Sequence, residues 1–225
     1  MTDVLLKQRE GRKYILRLNQ PGRGNVLNQD LQRALAEAWR EFEEDDGLWV
    51  AVLGAEGEAF SVGHDVEELQ RSQAEPAERV PLDGLFPLQT SKPVIAAVQG
   101  PCYGLGFELA LSCDLRVVEN GTQLGFPNQG LCVGYRVASV LLPRMTTLGT
   151  ALKLLWGAEV LGAERARELR LANWVVPKGK ALDAACEQGE ALIHRFKSPD
   201  AFQKRLIWGL SGVPLPVAMQ GLRGP

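Results

Sequence analysis

The stretch that organises this 225-residue chain is SKPVIAAVQGPCYGLGFELALSCD, Ser91 to Asp114. Its first part, Pro93 to Gln99, is rich in valine, isoleucine and alanine and predicts a buried β-strand. Three glycines follow, at Gly100, Gly104 and Gly106. An apolar helical pattern then begins, with Glu108 in its first turn. A strand, a glycine loop, a helix start and one carboxylate in this order predict a site where backbone N–H groups and one acid face a small substrate.

Composition favours a globular protein with a sizeable core. Hydrophobic residues make up 45% of the chain and charged residues 23%. The net charge is −2 and no basic patch stands out, which disfavours a nucleic-acid-binding role. The first twenty residues lack the apolar core of a signal peptide, and the apolar runs are far too short to cross a membrane. We therefore expect a cytoplasmic protein.

Cysteine and histidine usage agrees with that expectation. The four cysteines show neither paired nor metal-like spacing: Cys102, Cys113, Cys132 and Cys186. Cys102 and Cys113 fall in apolar runs, where a free cysteine behaves as a small hydrophobic residue, so we expect reduced thiols. Because the chain has only two histidines, His64 and His194, no zinc site is expected.

Apolar spacing predicts strands that alternate with helices along most of the chain. The predicted strands are two in Val4–Leu18 joined by a turn at Glu10-Gly11, then Leu48–Ala55, Leu115–Val118, Gln123–Phe126 and Trp174–Val176. The predicted helices are Gln29–Glu44 with Asn28 as its cap, Leu85–Gln89, Val137–Pro143, Gly149–Trp156, Ala163–Arg170, Ala181–Lys197 and Pro199–Leu210. The polar stretch Ser72–Asp83 is predicted to be a mobile surface segment. Helices dominate the end, which indicates an α/β fold with a helical C-terminal region.

A second strand–glycine–helix transition lies in AFSVGHDVEEL, Ala59 to Leu69. In both transitions a glycine lets the backbone turn sharply and approach a ligand closely. The free N–H groups at a helix start carry partial positive charge, and two that converge on one point form an oxyanion hole. The alternative is that each glycine only makes a turn, and the residues alone leave both interpretations open.

Glu108 is the candidate acid or base. Its apolar neighbours predict a buried carboxyl group, whose pKa burial raises and a helix N-terminus lowers. A carboxyl group poised between these effects can exchange a proton beside a carbonyl. A first-turn glutamate without any catalytic role fits the pattern equally well.

Taken together, three segments resemble the enoyl-CoA hydratase/isomerase (crotonase) superfamily in order and spacing. They are LNQPGRGNVLN, AFSVGHDVEEL and KPVIAAVQGPCYGLGFELALSCDLRVV, and LGFPNQGLCVGYRVASVLLPRM looks like the next segment of the family. The resemblance runs from about Leu16 to Pro177. It implies a crotonase-type spiral of ββα turns over residues 1–178 and a shortened helical trimerisation region over residues 179–225. Homotrimers or hexamers are the assemblies that it implies.

The resemblance also implies an acyl-CoA or acyl-pantetheine thioester substrate, with coenzyme A as part of the substrate and no separate cofactor. Two backbone N–H groups, those of His64 and Leu105, would hold the thioester oxygen. The family usually has glycine at Leu105, so the leucine side chain is expected to narrow the acyl pocket. The imidazole of His64 offers this residue a second way to reach the substrate.

By the same resemblance, Glu108 falls on the first catalytic glutamate of the family. Asn128 stands where hydratases and many isomerases carry the second glutamate. An amide cannot act as a general acid or base near neutral pH. Four reactions stay open: hydration or dehydration by a one-glutamate route, double-bond migration, decarboxylation and thioester hydrolysis.

Coenzyme A contacts are implied for a further set of residues, Arg23, Val26, Asp65, Val66 and Gly104. For Arg23, a solvated loop charge is the alternative. Two other functions also fit the sequence. One is a catalytically weak protein that binds acyl thioesters, and the other is an enzyme that acts on acyl chains held by a carrier protein.

Overall fold

The computed structural model describes residues 3–68, 84–127, 135–198 and 203–210. The strands are β1 Leu5–Glu10, β2 Lys13–Leu18, β3 Val50–Ala55, β4 Val94–Val98, β5 Pro101–Tyr103, β6 Leu115–Glu119, β7 Gln123–Gly125, β8 Val160–Gly162 and β9 Trp174–Val176. The helices are α1 Gln29–Glu44, α2 Leu105–Ser112, α3 Arg136–Met145, α4 Leu148–Trp156, α5 Ala163–Glu168, α6 Ala181–Arg195 and α7 Lys204–Leu210. Short 3-10 helices cover Pro21–Arg23 and Pro87–Gln89.

The larger sheet has the strand order β1-β2-β3-β4-β6-β9. The first pair, β1 and β2, is antiparallel, and each later pair of neighbours is parallel. Strand β4 is buried along its whole length, and β3 is buried from Val50 to Gly54. Unbroken apolar runs of this kind suit strands that are covered on both faces, as parallel strands usually are.

A smaller sheet has the strand order β5-β7-β8. The chain runs through β4, β5 and α2, and then through β6, β7 and α3, so that each passage adds one strand to each sheet before a helix. Ser61 forms an isolated bridge with Cys102 of β5, which extends this second layer to the preceding passage. The repeat of strand, strand and helix confirms the predicted spiral of ββα turns.

Helix α1 shows why the local sequence predicts the local structure. Asn28 caps it, because the Asn28 side chain accepts a hydrogen bond from the N–H of Leu31 at 3.0 Å. The five residues predicted at helical spacing are all buried: Leu31, Leu35, Ala38, Trp39 and Phe42. The apolar stripe of α1 therefore covers one face of the sheet.

The other face of the larger sheet is covered by α6. Ala181 and Ala185 pack in a second apolar cluster with Val50, Val52 and Ile95. Helix α7 is attached elsewhere by buried polar contacts, since the ammonium of Lys204 lies 2.8 Å from the carboxylate of Asp114. A trimerisation role for the C-terminal helices, and the division of the chain at residue 178, stay predictions.

Three differences from the predicted elements have local causes. Strands β5 and β8 lie in segments rich in glycine or proline, which the sequence pattern assigns to loops. Gln203 has a φ of +52° and is not helical, so the described part of the predicted last helix is Lys204–Leu210. Residues 199–202 lie outside the described residues. Ser72–Asp83 and Asn128 lie outside the described residues. Within the described ranges, no helix is long and apolar enough to cross a membrane.

Candidate active site

The two glycine turns predicted from the sequence lie side by side. The N–H of Ser61 donates to the carbonyl of Pro101 at 3.2 Å, and the N–H of Tyr103 donates to the carbonyl of Ser61 at 2.9 Å. These bonds hold the segment before the first turn parallel to β5, with Ser61 opposite Cys102. His64 lies three residues beyond Ser61 along its segment, and Leu105 lies three residues beyond Cys102.

Glycine is required where the two turns touch. A Cβ atom on Gly63, whose φ is +95°, would lie 2.7 Å from the carbonyl oxygen of Tyr103 and 3.3 Å from the nitrogen of Leu105. A Cβ atom on Gly106 would lie 2.6 Å from the Cβ of Ser61. The distances of 2.7 and 2.6 Å are shorter than a side chain tolerates, so the segment FSVGH can approach the start of α2 this closely only with glycines at these two positions.

Two backbone N–H groups lie next to this contact, those of His64 and Leu105. Leu105 is the first residue of α2, so its N–H has no partner within the helix. Among the described residues, no hydrogen bond is donated by the N–H of either His64 or Leu105. Both groups are therefore available to an oxygen atom of a ligand.

Glu108 is buried behind this point, with 3% of its surface exposed. Its Oε1 accepts a hydrogen bond from the N–H of Ala138 at 2.9 Å. Burial raises the pKa of Glu108 to about 7, and the N–H groups of Ala138 and Val137 oppose that rise. The opposing donors belong to the first turn of α3, and not to the carboxylate's own helix as the sequence suggested. A carboxyl group with this pKa can give or take a proton near neutral pH.

A cavity of about 320 Å³ opens beside the two turns. It is lined by six of the eight predicted site residues, namely the five predicted to contact coenzyme A and His64. They are Arg23, Val26, His64, Asp65, Val66 and Gly104. Leu105 and Glu108 do not face it as side chains, because they are 1% and 3% exposed and Leu105 packs in the main core. The predicted narrowing of an acyl pocket by Leu105 stays a prediction.

Tyr135 connects this cavity to Glu108, and sequence reasoning missed it. Its ring lines the cavity and packs on Phe126 with 4.4 Å between ring centroids. It also lies 3.8 Å from the point where a Cβ on Gly104 would be. Burial, together with the charge of Glu108, raises the pKa of Tyr135. No periodic pattern separates a wall residue of this kind from an ordinary core aromatic residue.

Opposite charges meet at the mouth of the cavity. The guanidinium of Arg23 lies 2.8 Å from the carboxylate of Asp65. Asp65 also accepts hydrogen bonds from the N–H groups of Glu67 and Glu68, at 3.1 and 3.3 Å. Burial raises the pKa of Asp65, but the Glu68 N–H and Arg23 outweigh it and lower the pKa overall. Arg23 is thus held at the cavity edge with about half of its side chain in solvent.

Buried Arg116 fixes the far end of α2. Its guanidinium donates to the carbonyl oxygens of Cys113 at 2.6 Å and Leu171 at 2.8 Å. Cys113 follows the last residue of α2, so Arg116 ties the end of this helix to the segment before β9. The helix that carries Leu105 and Glu108 is therefore anchored at both ends.

Comparison with known proteins identifies the family. A sequence profile of the enoyl-CoA hydratase/isomerase family matches residues 12–206. The chain is 31% identical to a putative enoyl-CoA hydratase of Thermus thermophilus over 218 residues, covering 94% of this chain and 86% of the relative. It is 28% identical to a carnitinyl-CoA dehydratase of Salmonella paratyphi A, covering 99% of this chain and 87% of the relative.

A solved structure agrees with this relationship. The enoyl-CoA hydratase of Mycobacterium tuberculosis superposes with a TM-score of 0.89 at 30% identity, covering 99% of this chain and 88% of that one. The chain belongs to the enoyl-CoA hydratase/isomerase family. It has the crotonase fold, and it is an enzyme of the hydratase/isomerase kind.

Proposed function

We propose that this enzyme transforms acyl-CoA thioesters through an enolate whose oxygen is held by the N–H groups of His64 and Leu105. Glu108 gives or takes a proton in the same step. The observation that carries the proposal is the direct contact between the turn at Gly63 and the start of α2. That contact supports convergence of the N–H groups of His64 and Leu105. Leu105 is three residues before Glu108, whose carboxyl group is buried.

The chemistry follows from where charge develops. When a proton leaves the carbon next to a thioester carbonyl, the electron pair moves onto the carbonyl oxygen. Two fixed N–H donors stabilise that oxygen more strongly in the enolate than in the ground state, and this difference lowers the barrier. Glu108, with a pKa of about 7, matches the requirement that an acid or base titrate near the working pH.

The names of the relatives support this class of reaction. The Thermus relative is called an enoyl-CoA hydratase and the Salmonella relative a carnitinyl-CoA dehydratase. Addition or loss of water beside a thioester uses the same enolate, so an acyl-CoA is the substrate that we propose for this chain. The half-exposed guanidinium of Arg23 at the cavity mouth supports a contact with a phosphate of the coenzyme as part of this proposal.

The test compares two buried glutamates. Glu108→Gln should lower kcat/KM on the best substrate of an acyl-CoA panel at least about a hundredfold, because the amide cannot transfer a proton. Glu119→Gln is the matched control. Glu119 is also buried and accepts a hydrogen bond from a helix-start N–H, that of Ala181 at 3.2 Å. Its partner belongs to α6, on the other face of the larger sheet, whereas Glu108 lies beside the cavity residue Tyr135.

We expect the Glu119→Gln enzyme to keep wild-type kcat/KM within about threefold, as a residue outside the site should. Equal activity of Glu108→Gln and wild type would refute the role of Glu108. Binding of acyl-CoA without turnover by the wild type would favour the alternative of a binding protein.

The same panel decides among the open reactions. It should include an enoyl-CoA, a positional isomer of its double bond, an acyl-CoA with a second carboxylate, and a saturated thioester. A further variant, Asn128→Glu, restores a carboxylate at the position where the family's second glutamate is expected. A gain of hydration in this variant would support the one-glutamate interpretation, and no change would weaken it.

A further inference from the structure

Within the described part of the chain, the His64 side chain differs from the other polar side chains around the cavity in having no partner. Arg23 and Asp65 pair with each other, and the hydroxyl of Tyr103 donates to Gln123. Glu67 and Tyr135 make further interactions of their own. The imidazole of His64 is half-buried and faces the cavity, yet it makes no hydrogen bond or ion pair with any described residue. A half-buried imidazole needs polar partners, and solvent or a ligand in the cavity can supply them.

Covalent geometry limits where the imidazole can act. The ring is joined to the proposed oxyanion donor of the same residue through the Cα and Cβ atoms alone. A thioester whose oxygen is held by that N–H therefore lies within reach of the ring. The acyl carbon next to the carbonyl is one bond away from the carbon that bears this oxygen, so it is a near target for a ring nitrogen.

We propose that the imidazole of His64 is a second catalytic residue, which exchanges the proton of the acyl carbon next to the thioester while Glu108 serves the more distant position. The inference rests on the proposed function and assigns its two proton-transfer steps to different groups. The sequence adds a reason, because Asn128 supplies an amide where a second acid is expected, and an amide transfers no proton.

The step balances as follows in the direction of elimination. A ring nitrogen of neutral His64 takes the proton, and the C–H electron pair forms the enolate. As the enolate collapses to the unsaturated thioester, a hydroxyl group leaves from the next carbon and takes the proton of the Glu108 carboxyl group, forming water. Imidazolium then loses its proton to solvent, and the Glu108 carboxylate takes one up. Hydration runs through the same steps in reverse.

The surrounding charges are compatible with this division. The titratable groups around the cavity are Arg23, Asp65, Glu67, Tyr103 and Tyr135, with Glu108 behind Tyr135. Burial lowers the pKa of His64 below its usual 6.5, while the pKa of Glu108 is raised to about 7. Between the pKa of His64, which lies below 6.5, and that of Glu108, about 7, the pair holds one proton, on Glu108. Elimination starts from this form, and hydration starts from the form in which the single proton is on His64. Because both directions need one proton on the pair, kcat/KM should follow a bell-shaped pH profile either way.

The test removes the imidazole and keeps the backbone donor. His64→Gln retains the N–H of residue 64, so the proposed oxyanion hole is unchanged. We expect kcat to fall at least about a hundredfold with KM within about threefold, and the acid limb of the pH profile to disappear. His194→Gln is the matched control, because His194 is the other histidine, is exposed on α6 and pairs with Glu190 at 3.2 Å.

Isotope exchange separates the two proton-transfer groups. In D₂O, a saturated acyl-CoA such as butyryl-CoA should exchange the protons next to its thioester with wild-type enzyme and with Glu108→Gln, but not with His64→Gln. Mass spectrometry of the recovered thioester measures this. Thermal unfolding of each variant establishes that it is folded. If His64→Gln is unfolded, His64→Asn replaces it. The pH dependence of exchange by the wild type is an independent measurement, because the exchange rate should fall below pH 6.5 as His64 becomes protonated.

Three results would overturn the inference. His64→Gln could keep wild-type kcat, could raise KM alone, or could still catalyse exchange, and each would make the ring a wall or binding residue. If Glu108→Gln is inactive while His64→Gln is active, the proposed function stands and this inference fails. If the wild type neither turns over nor exchanges any acyl-CoA, both fail together.

Discussion

The two turns of the site are built alike but lie in different surroundings. Each follows an extended segment, contains a glycine with positive φ and ends at the start of a helix. The φ of Gly63 is +95° and that of Gly104 is +53°. Their residues differ in exposure, however. Val62 and Val66 around the first turn are 37% and 41% exposed, whereas every residue of α2 after the second turn is buried.

Exposure decides what each turn can carry. The open turn at Gly63 is followed by Asp65, which holds Arg23 at the cavity mouth, so charged groups suited to binding collect there. The closed turn at Gly104 leads into an apolar helix, where a carboxyl group has its pKa raised towards neutrality. Under the proposed function, the first turn binds the charged coenzyme and the second carries the proton-transfer group, and each turn supplies one N–H to the thioester oxygen.

The largest expected effect concerns Glu108 after the closed turn, whose buried carboxyl group should lower the free energy of unfolding at high pH. The pKa of Glu108 rises from 4.5 to about 7 on folding, so the folded state binds the proton more tightly. The resulting stability is fully present below pH 4.5 and is lost as the pH rises through 7. Glu108→Gln does not titrate, so its free energy of unfolding relative to wild type should rise by about 3 kcal/mol between pH 4.5 and pH 8.

Urea unfolding of both proteins at several pH values measures this difference. A difference that does not change with pH would mean that the Glu108 carboxyl group is not desolvated, and the contrast between the two turns would disappear. If Glu108→Gln is more stable but less active than wild type above pH 7, the buried charge of Glu108 destabilises the fold and is needed for activity.

The contact between the turns is the next feature to break. Gly63→Ala introduces both a strained φ and a Cβ only 2.7 Å from the Tyr103 carbonyl oxygen. Gly121→Ala is the matched control, since Gly121 has a φ of +87° but nothing within 4 Å of the added Cβ. We expect about 1 kcal/mol of destabilisation at Gly121 and about 2 kcal/mol or more at Gly63.

Activity should separate these two variants more clearly than stability does. Moving the first turn away from Leu105 spoils the convergence of the two donors, so kcat should fall at least about tenfold in Gly63→Ala. The kcat of Gly121→Ala should stay at the wild-type value. Equal kcat values in both variants would show that the turns need no direct contact for activity.

Local features of this chain could be predicted from its sequence. The cap and buried stripe of α1 follow from Asn28 and from apolar residues at helical spacing. The burial of Glu108 follows from its leucine and phenylalanine neighbours. Both depend on residues close together in the chain, where periodicity and side-chain chemistry determine the outcome.

Contacts between distant segments could not be predicted in the same way. The carboxylate of Glu108 accepts a hydrogen bond from the N–H of Ala138, thirty residues further along the chain, and no local pattern indicates that partner. Tyr135 becomes a cavity wall only because α3 begins beside Gly104. Strand β5 exists because Ser61 and β7 pair with it from either side, although Pro101 and the flanking glycines favour a loop. Sheet pairing outweighs local propensity at this position.

The open turn should show the smallest effect, because about half of the Arg23 side chain is exposed to solvent. Arg23→Ala should raise KM for acyl-CoA about fivefold, equivalent to about 1 kcal/mol, and leave kcat unchanged. The same variant should show a weaker dependence of KM on salt than wild type. Arg33→Ala is the control, since Arg33 is an exposed arginine of α1 whose guanidinium lies 3.8 Å from Asp30.

The Asp65 carboxylate keeps its two N–H donors when Arg23 is removed, so the turn itself should persist in the variant. A fall in kcat at constant KM would therefore place Arg23 in the chemical step and not in coenzyme binding. That outcome would contradict the assignment of coenzyme binding to the open turn and of proton transfer to the closed turn. An unchanged KM with unchanged kcat would instead make Arg23 a solvated loop charge, the alternative that its sequence position already allowed.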